Sequence, residues 1–240
     1  MVKGIIFDYG GTLDTRGNHW GKVLWHAYER QQVPVTEEQF REAYVYAERT
    51  LGRNPIILPT YTFKKLLDVK LRLEMEYLFT KGYLAYDKNT YTKVELALLD
   101  DLYGQVRETV AYSREVLMQL HERFPMVLVS NFYGNIEVVL QEFHLEGLFQ
   151  KIIESAVVGI RKPDPQIFQL GVDALGLAPE EVMVVGDSMS KDILPAKTIG
   201  CKTAWYKGEG WTDKQEDESI PDLVISDLQD LLTLISIFNV

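Results

Sequence analysis

Two aspartates, Asp8 and Asp187, each follow a short run of apolar residues. Runs that are apolar throughout are typical of strands covered on both faces, as in a parallel sheet. Carboxylates at the carboxyl ends of such strands lie where doubly wound sheets bind ligands, and paired carboxylates suit Mg²⁺. Gly10 and Gly11 come just after Asp8, and glycines let backbone N–H groups approach an anion closely. The pattern predicts a site for a divalent cation and an anion.

Polar side chains in further segments add to this candidate site. Thr12 supplies a hydroxyl after the glycines. Ser130 and Asn131 end another apolar run, where a hydroxyl and a backbone N–H group can hold phosphate oxygens. Lys162 precedes a predicted helix and offers a compact positive charge to an anion. Asp192 lies one turn into another predicted helix. The candidate site therefore combines acidic, basic and hydroxyl groups.

Alternating strands and helices must position these residues, and they predict a doubly wound α/β core with a parallel sheet. The apolar runs predict strands at 4–8, 126–131, 182–187, 202–206 and 222–226. Helical patterns lie between or after them, at 133–145, 163–176, 190–200 and 226–236. The helix at 163–176 has Asp164 as a cap and Pro165 at its first position, and Pro195 is expected to end or kink the helix at 190–200.

Residues 16–109 have a different pattern. Apolar residues recur there with the 3.6-residue period of amphipathic helices, at 19–32, 36–52, 61–79 and 91–110. Thr36 and Gln39 have the spacing of a capping box. The pattern predicts a four-helix cap domain at 16–109, inserted into a Rossmann-like core made of 1–15 and 110–240.

The composition excludes several classes of protein. The 240 residues carry a formal net charge of −10, and no Lys/Arg-rich run stands out, which disfavours nucleic acid as a partner. No apolar segment approaches the roughly 18 residues of a membrane span, and the first apolar run is too short for a signal peptide. The single Cys201 excludes an intrachain disulfide. The expectation is a soluble cytoplasmic protein with no membrane partner; its oligomeric state stays open.

Four segments, in this order, resemble the motifs of the haloacid dehalogenase (HAD) superfamily of phosphatases and related hydrolases. They are "FDYGGT" (7–12), "VSNFYG" (129–134), "GIRKPDP" (159–165) and "VVGDSMSKD" (184–192). An insertion after the first motif is typical of the helical-cap subclass. The resemblance implies a phosphatase that cleaves a small phosphorylated metabolite through an aspartyl-phosphate intermediate.

The resemblance also implies a role for each candidate residue. Asp8 would be the nucleophile, and Lys162 and Asp192 would assist it, with Asp192 orienting the lysine or a metal-bound water. The phosphoryl group would be bound by Gly11, Thr12, Ser130, Asn131 and Lys162. Mg²⁺ would be held by Asp8, by Asp187 and by the backbone carbonyl of Gly10.

Gly10 departs from the family pattern. Phosphatases of the superfamily usually read Asp-x-Asp-Gly-Thr, and their second aspartate is a general acid and base; here that position is Gly10. General acid–base catalysis is typically worth ~10²–10⁴-fold. The departure predicts slow turnover, a substrate with a good leaving group, or another proton donor.

Two alternatives stay open. A 2-haloacid dehalogenase would use the same aspartate on carbon and would need no metal. Dehalogenases of the superfamily commonly have Tyr two residues after the nucleophile and lack the metal acid, whereas here Tyr9 is one residue after Asp8 and Asp187 is retained. A phosphate-binding module with weakened catalysis is the other alternative, although a binder has no need of a nucleophile.

The remaining candidates receive structural interpretations. Asp14 is interpreted as a cap or hinge residue, and His19 as a surface histidine that could reach the site when the cap closes. Aromatic residues at helical spacing are interpreted as packing residues of the cap: Trp20, Trp25, Tyr44 and Tyr61. Cys201 is interpreted as a buried small residue and the acidic tract at 213–218 as a solvated loop.

Overall fold

The computed structural model describes residues 1–212 and 215–235. Within them, six strands form one sheet in the order β3-β2-β1-β4-β5-β6, and every neighbouring pair is parallel. The strands are β1 (Gly4–Phe7), β2 (Met126–Ser130), β3 (Lys151–Glu154), β4 (Val182–Gly186), β5 (Lys202–Tyr206) and β6 (Leu223–Ile225). The doubly wound α/β core expected from the sequence is confirmed.

Strand β1 lies where the strand order reverses. The chain passes from β1 to β2 and β3 on one side and then crosses to β4, β5 and β6 on the other. Phe7 in β1 is in register with Leu128 in β2 and with Val185 in β4. The residues that follow these positions therefore emerge together at one edge of the sheet. Open α/β sheets bind ligands in the crevice at such a point.

The helices after β2 cover the sheet. They are α5 (Ile136–Glu142), α6 (Ser155–Val158), α7 (Gln166–Leu175), α8 (Leu194–Thr198) and α9 (Leu231–Leu234). The expected cap of α7 is present, because the Asp164 carboxylate accepts a hydrogen bond from the backbone N–H of Gln166 (2.9 Å). Pro165 precedes the first helical residue instead of occupying it. The apolar faces of these helices and strands bury two main hydrophobic clusters, one that includes Ile5 and Phe7 and one that includes Ile6.

Several elements differ from the sequence expectation. The strand β3 and the short α6 were not expected, because β3 has only two apolar residues between a lysine and a glutamate. The expected helix at 190–200 is a π-helical turn (Met189–Ile193) followed by α8, whose first turn holds Pro195. The expected helix at 226–236 is a 3₁₀ turn (Leu228–Asp230) followed by α9; its last residue lies outside the described residues, as do 213 and 214 of the acidic tract.

Four helices are inserted between β1 and β2, as expected. They are α1 (Trp20–Arg30), α2 (Glu37–Arg53), α3 (Phe63–Thr80) and α4 (Lys88–His121). The capping box of α2 is present, with reciprocal hydrogen bonds between Thr36 and Gln39. Helix α4 is continuous through the boundary expected at 109/110, and it packs against α1 and α3 as well as against α9. The division of the chain into a core and a cap domain therefore stays a prediction.

Within the described ranges, no helix combines the length and the apolar character that a bilayer span needs. Cys201 is buried, as expected, and burial raises the pKa of its thiol to about 12.

Candidate active site

Asp8 comes directly after β1 and is only 5% exposed. Three side chains from different parts of the chain surround its carboxylate. Lys162 Nζ donates to Oδ1 at 2.6 Å, Ser130 Oγ lies 3.4 Å from the same oxygen, and Thr12 Oγ1 donates to Oδ2 at 3.1 Å. The carboxylate is thus fixed at the switch point of the sheet. Burial raises its pKa, and Lys162 offsets only part of that effect.

Lys162 bridges two acids, and we call Asp8, Lys162 and Asp192 the core charge cluster. The Nζ atom lies 2.6 Å from Asp8 Oδ1 and 2.6 Å from Asp192 Oδ1, and all three side chains are almost completely buried. Burial opposes the charge of the lysine, but Asp192 and Asp8 outweigh it and raise its pKa. Lys162 is therefore charged at neutral pH and held by Asp192 at the side of Asp8.

Asn131 positions the same lysine through the backbone. Its Nδ2 donates to the carbonyl oxygen of Lys162 (3.1 Å), and its Oδ1 accepts from the N–H of Lys162 (2.9 Å). The side chain of Asn131 is engaged in this clamp, so a contact with a phosphoryl group would have to come from its backbone N–H. That contact stays a prediction.

Gly11 brings Asp187 close to Asp8. Its φ is +99°, a region that favours glycine, and an added Cβ would lie 2.5 Å from the Asp187 carboxylate. Thr12 Oγ1 is within 3.2 Å of Asp187 Oδ1, besides its contact with Asp8. Any side chain at position 11 would force these groups apart. The glycine turn therefore allows the two acids to face each other.

The oxygen atoms of this region fit a hard divalent cation. Asp8, Asp187 and Asp192 each offer a carboxylate oxygen, and these atoms lie within 4.8 Å of one another. Asp192 is already engaged, because it accepts from Lys162 and from the N–H of Ser188 (3.1 Å). Burial raises the pKa of Asp187 well above its ordinary value, and the charges of Asp192 and Asp8 add to the effect. Asp8 and Asp187 form the pair that a cation would neutralise.

Asp14 lies in this site, contrary to its interpretation as a cap or hinge residue. It is 1% exposed and lines the same cavity as Asp8. Its Oδ1 accepts from the N–H of Gly11 (2.7 Å), and its Oδ2 accepts from Trp20 Nε1 (3.1 Å). Burial raises the pKa of Asp14 to about 7, against the effect of the Gly11 hydrogen bond. The N–H of Gly11 is thus engaged, and its expected contact with a phosphoryl group stays a prediction.

His19 also lines the cavity, but it is half-buried and is no ordinary surface histidine. Its Nδ1 accepts from the N–H of Gly21 (3.0 Å), which caps α1. The ring stacks on Trp211 at 5.2 Å between centroids. Burial lowers its pKa to about 4, so the ring is neutral at physiological pH. Of the four aromatics expected on the inserted helices, Trp20 and Tyr44 line the cavity, whereas Trp25 packs against Phe40.

The inserted helices bring a second buried lysine to the cavity, and the sequence analysis missed it. We call Glu48, Lys70 and Glu74 the helix charge cluster. Lys70 Nζ lies 2.6 Å from Glu48 Oε1. Glu74 is one turn after Lys70 on α3; it accepts from the Tyr28 hydroxyl at 3.2 Å. A lysine and a glutamate on the buried face of a predicted helix were the available signal.

Three comparisons place the chain among known proteins. Residues 2–200 match the family model described as "Hydrolase: haloacid dehalogenase-like hydrolase". The chain is 36% identical to a glyceraldehyde 3-phosphate phosphatase of Methanocaldococcus jannaschii, over 98% of this chain and 97% of that protein. It is 26% identical to a phosphoglycolate phosphatase of Aliivibrio fischeri, over 98% and 97%. The fold is similar to that of a 2-haloacid dehalogenase from Pseudomonas syringae (TM-score 0.53, 20% identity, 99% of this chain and 100% of that one).

Proposed function

Because the chain belongs to the haloacid dehalogenase-like hydrolases, we propose that it is a Mg²⁺-dependent phosphatase that hydrolyses a small phosphorylated metabolite. The observation that carries the proposal is the Asp8 carboxylate, which is buried between Lys162 and Thr12 and faces Asp187. The full-length likeness to proteins named as phosphatases supports the reaction class. A cytoplasmic location is part of the proposal and rests on the sequence alone.

In the first step, an Asp8 oxygen attacks phosphorus, and the bond between phosphorus and the ester oxygen breaks. The alcohol leaves, and the phosphoryl group is held as an acyl phosphate on Asp8. Lys162 stabilises the negative charge that gathers on the phosphoryl oxygens, and Ser130 donates a hydrogen bond next to it. In the second step, water attacks phosphorus, and Asp8 is released with inorganic phosphate.

Mg²⁺ would be held by the carboxylates of Asp8 and Asp187 and by the carbonyl of Gly10. Bound there, the ion would screen the charge of the phosphate from that of the attacking carboxylate. Asp192 keeps Lys162 in place, since the two atoms that join them are 2.6 Å apart. The Thr12 hydroxyl lies within hydrogen-bond distance of both Asp8 and Asp187 and helps to hold their carboxylates side by side.

The inserted helices contribute the other wall of the cavity, with Trp20, Tyr44, Glu48 and Lys70 among the residues that line it. They would exclude water from the acyl phosphate and contact the part of the substrate beyond the phosphoryl group. The identity of the metabolite depends on these contacts.

A 2-haloacid dehalogenase is the second candidate, since dehalogenases share the fold. It would not need the pair formed by Asp8 and Asp187 across the Gly11 turn. Tyr9 is fully buried with its ring edge-on to Phe132 (5.7 Å between centroids), and it is not among the described residues that line the cavity with Asp8.

The test is a panel of phosphomonoesters and 2-haloacids, assayed for phosphate and halide release with Mg²⁺ and after chelation by EDTA. We expect phosphate release that needs Mg²⁺ and is lost in Asp8→Asn, a nearly isosteric change. The matched control is Asp173→Asn, which alters an exposed aspartate on α7 and is expected to keep full activity. Halide release that is unaffected by EDTA would support the dehalogenase, and full phosphatase activity in Asp8→Asn would refute the proposal.

A further inference from the structure

Gly10 leaves an open space where family phosphatases carry their general acid. Unlike Gly11, it is not a positive-φ glycine. Apart from its two chain neighbours, a Cβ built on it would meet one atom of the described residues within 4 Å, Trp20 Nε1 at 3.9 Å. Neither the backbone nor the packing therefore requires glycine at this position. An alkoxide is a poor leaving group, so a phosphatase without an acid here needs a proton from another side chain.

Asp14 is connected to this space through Trp20. Trp20 Nε1, the atom nearest to a Cβ at position 10, also donates a hydrogen bond to Asp14 Oδ2. The other carboxyl oxygen is held by the N–H of Gly11, the residue next to the gap. Asp14 is thus fixed from two directions, buried, and on the wall of the cavity that contains Asp8. Its location is set by the same glycine turn that follows the nucleophile.

The other acid–base groups on the cavity wall are engaged differently. His19 uses Nδ1 to cap α1, and its burial leaves the ring neutral. Burial opposes the charge of Glu48, but its ion pair with Lys70 and a hydrogen bond from Tyr133 outweigh burial and set its pKa below the ordinary value. Neither is a proton donor near neutral pH. Asp14, in contrast, is held by two neutral donors, the N–H of Gly11 and the indole N–H of Trp20, and has no ion pair among the described residues. Burial raises its pKa to about 7.

We propose that Asp14 is the general acid and base of this enzyme and replaces the aspartate that is absent at Gly10. The inference rests on the phosphatase function proposed above. In the first step, as the bond between phosphorus and the ester oxygen breaks, the Asp14 carboxyl gives its proton to the leaving oxygen, which departs as a neutral alcohol. In the second step, the Asp14 carboxylate takes a proton from the attacking water while the bond between phosphorus and Asp8 breaks. Asp14 is protonated again, and phosphate leaves.

Trp20 is then a positioning residue. Each carboxyl oxygen has two lone-pair sites, so Oδ2 can carry a proton while it still accepts from the indole N–H. Trp20 is the first residue of α1, and its Nε1 lies near both Asp14 Oδ2 (3.1 Å) and the position of a Cβ at residue 10 (3.9 Å). In this proposal the indole holds the carboxyl group next to that space.

The test compares Asp14→Asn with the wild-type enzyme on two substrate classes, p-nitrophenyl phosphate and an unactivated alkyl phosphate. With the aryl ester, whose leaving group needs little protonation, we expect Asp14→Asn to release a burst of up to one nitrophenol per site. Steady turnover should then be slower by ~10²–10⁴-fold, because water is no longer activated. With the alkyl ester no burst should appear, since departure of the alcohol is itself slow.

The rescue variant is Gly10→Asp in the Asp14→Asn background, which returns a carboxyl group to the family position. We expect it to shorten the lifetime of the phosphoenzyme, whereas Gly10→Ala in that background should not. Thermal melting of each variant checks that it is folded. A purely structural role for Asp14 predicts something different: equal losses on both substrate classes, no burst, and no rescue.

Wild-type rates of Asp14→Asn on both classes would overturn the inference while the phosphatase function stands. An absence of phosphatase activity in the wild-type enzyme would overturn the proposed function and this inference together. A burst without rescue by Gly10→Asp would still support Asp14, because the burst reports the missing base directly.

Discussion

Two buried lysines lie on opposite walls of the cavity, and each has two acids nearby. In the core charge cluster, Lys162 contacts both acids at 2.6 Å. In the helix charge cluster, Lys70 contacts Glu48 at 2.6 Å, whereas Glu74 bonds to Tyr28, and its Oε1 has no hydrogen-bond partner among the described residues. In the first cluster the lysine therefore forms ion pairs with both acids. In the second it is paired with Glu48, and burial raises the pKa of Glu74 to about 8.

The two clusters differ because their side chains are carried by different kinds of secondary structure. The three residues of the core charge cluster come from segments that follow strands, and the parallel sheet brings those segments to one edge. Lys70 and Glu74 are neighbours on one helix, and their partners depend on how α3 packs against α1 and α2. A nucleophile needs the rigid arrangement of the sheet edge. In the proposed function, the residues of the inserted helices that line the cavity contact the substrate beyond the phosphoryl group and do not react with it.

The largest difference is expected when each lysine is replaced by methionine. Lys162→Met leaves two buried acids without their cation, and breaking a buried pair costs about 3–5 kcal/mol of the free energy of unfolding. Phosphate release should fall below detection. Lys70→Met should cost less, because the Glu48 side chain is 31% exposed and solvent screens it. Urea unfolding and phosphate release measure the two effects.

In this pair of variants, Lys70→Met is expected to change KM more than kcat, since Lys70 faces the part of the cavity beyond Asp8. Equal losses of kcat in both variants would contradict the separation of chemistry from substrate contact. Folded Lys162→Met protein with normal turnover would remove Lys162 from the mechanism.

A smaller effect is expected at Glu74, whose pKa burial raises to about 8. In the unfolded chain the pKa of Glu74 is near 4.5. At pH values between these two pKa values, Glu74 therefore keeps its proton in the folded state and has lost it in the unfolded state. Stability should therefore fall as pH rises through that window. Glu74→Gln removes the titration and should raise the free energy of unfolding at pH 7 by up to about 3 kcal/mol.

Urea unfolding of the wild type and Glu74→Gln at pH 5 and pH 7.5 checks this. The two proteins should be closest at pH 5 and differ most at pH 7.5, where the glutamine variant is the more stable. A difference that is the same at both pH values would show that Glu74 is ionised in the folded protein. Phosphatase turnover should not follow this stability change.

The smallest effect is expected for Tyr28→Phe, which removes the hydroxyl that donates to Glu74. The loss of this buried hydrogen bond should cost about 1 kcal/mol of the free energy of unfolding. In a Glu74→Leu background the same change should cost almost nothing, which a double-mutant cycle by urea unfolding measures. An equal cost in both backgrounds would mean that the tyrosine hydroxyl serves another group.

The sequence predicted the sheet well where a strand is apolar throughout, as at β1 and β4, because burial on both faces leaves that pattern. It missed β3, whose two isoleucines stand between charged residues. It predicted that Asp8 and Asp187 meet, since strand ends of a parallel sheet share one edge, and the resemblance to the HAD superfamily placed Lys162 and Asp192 beside them. Which atoms they would contact was not predictable.

Contacts that depend on tertiary geometry were missed. Asp14 lies in the site because its carboxylate accepts from the N–H of Gly11, where the chain turns through a positive φ, and from the indole of the first residue of α1. Hydrophobic periodicity in the sequence predicts neither of these two contacts. Glu48 and Lys70 lie on different helices, so their pairing depends on helix packing and not on spacing along the chain.

The measurement that tests the central claim most directly is the capture of a phosphoryl group on Asp8. The wild-type enzyme is mixed with p-nitrophenyl phosphate and Mg²⁺, quenched in acid within milliseconds, digested and analysed by mass spectrometry. We predict that the peptide containing Asp8 gains the mass of one phosphoryl group, that hydroxylamine removes it, and that Asp8→Asn never acquires it. Steady phosphate release with no phosphoryl group on this peptide, or with one on a different residue, would contradict the account.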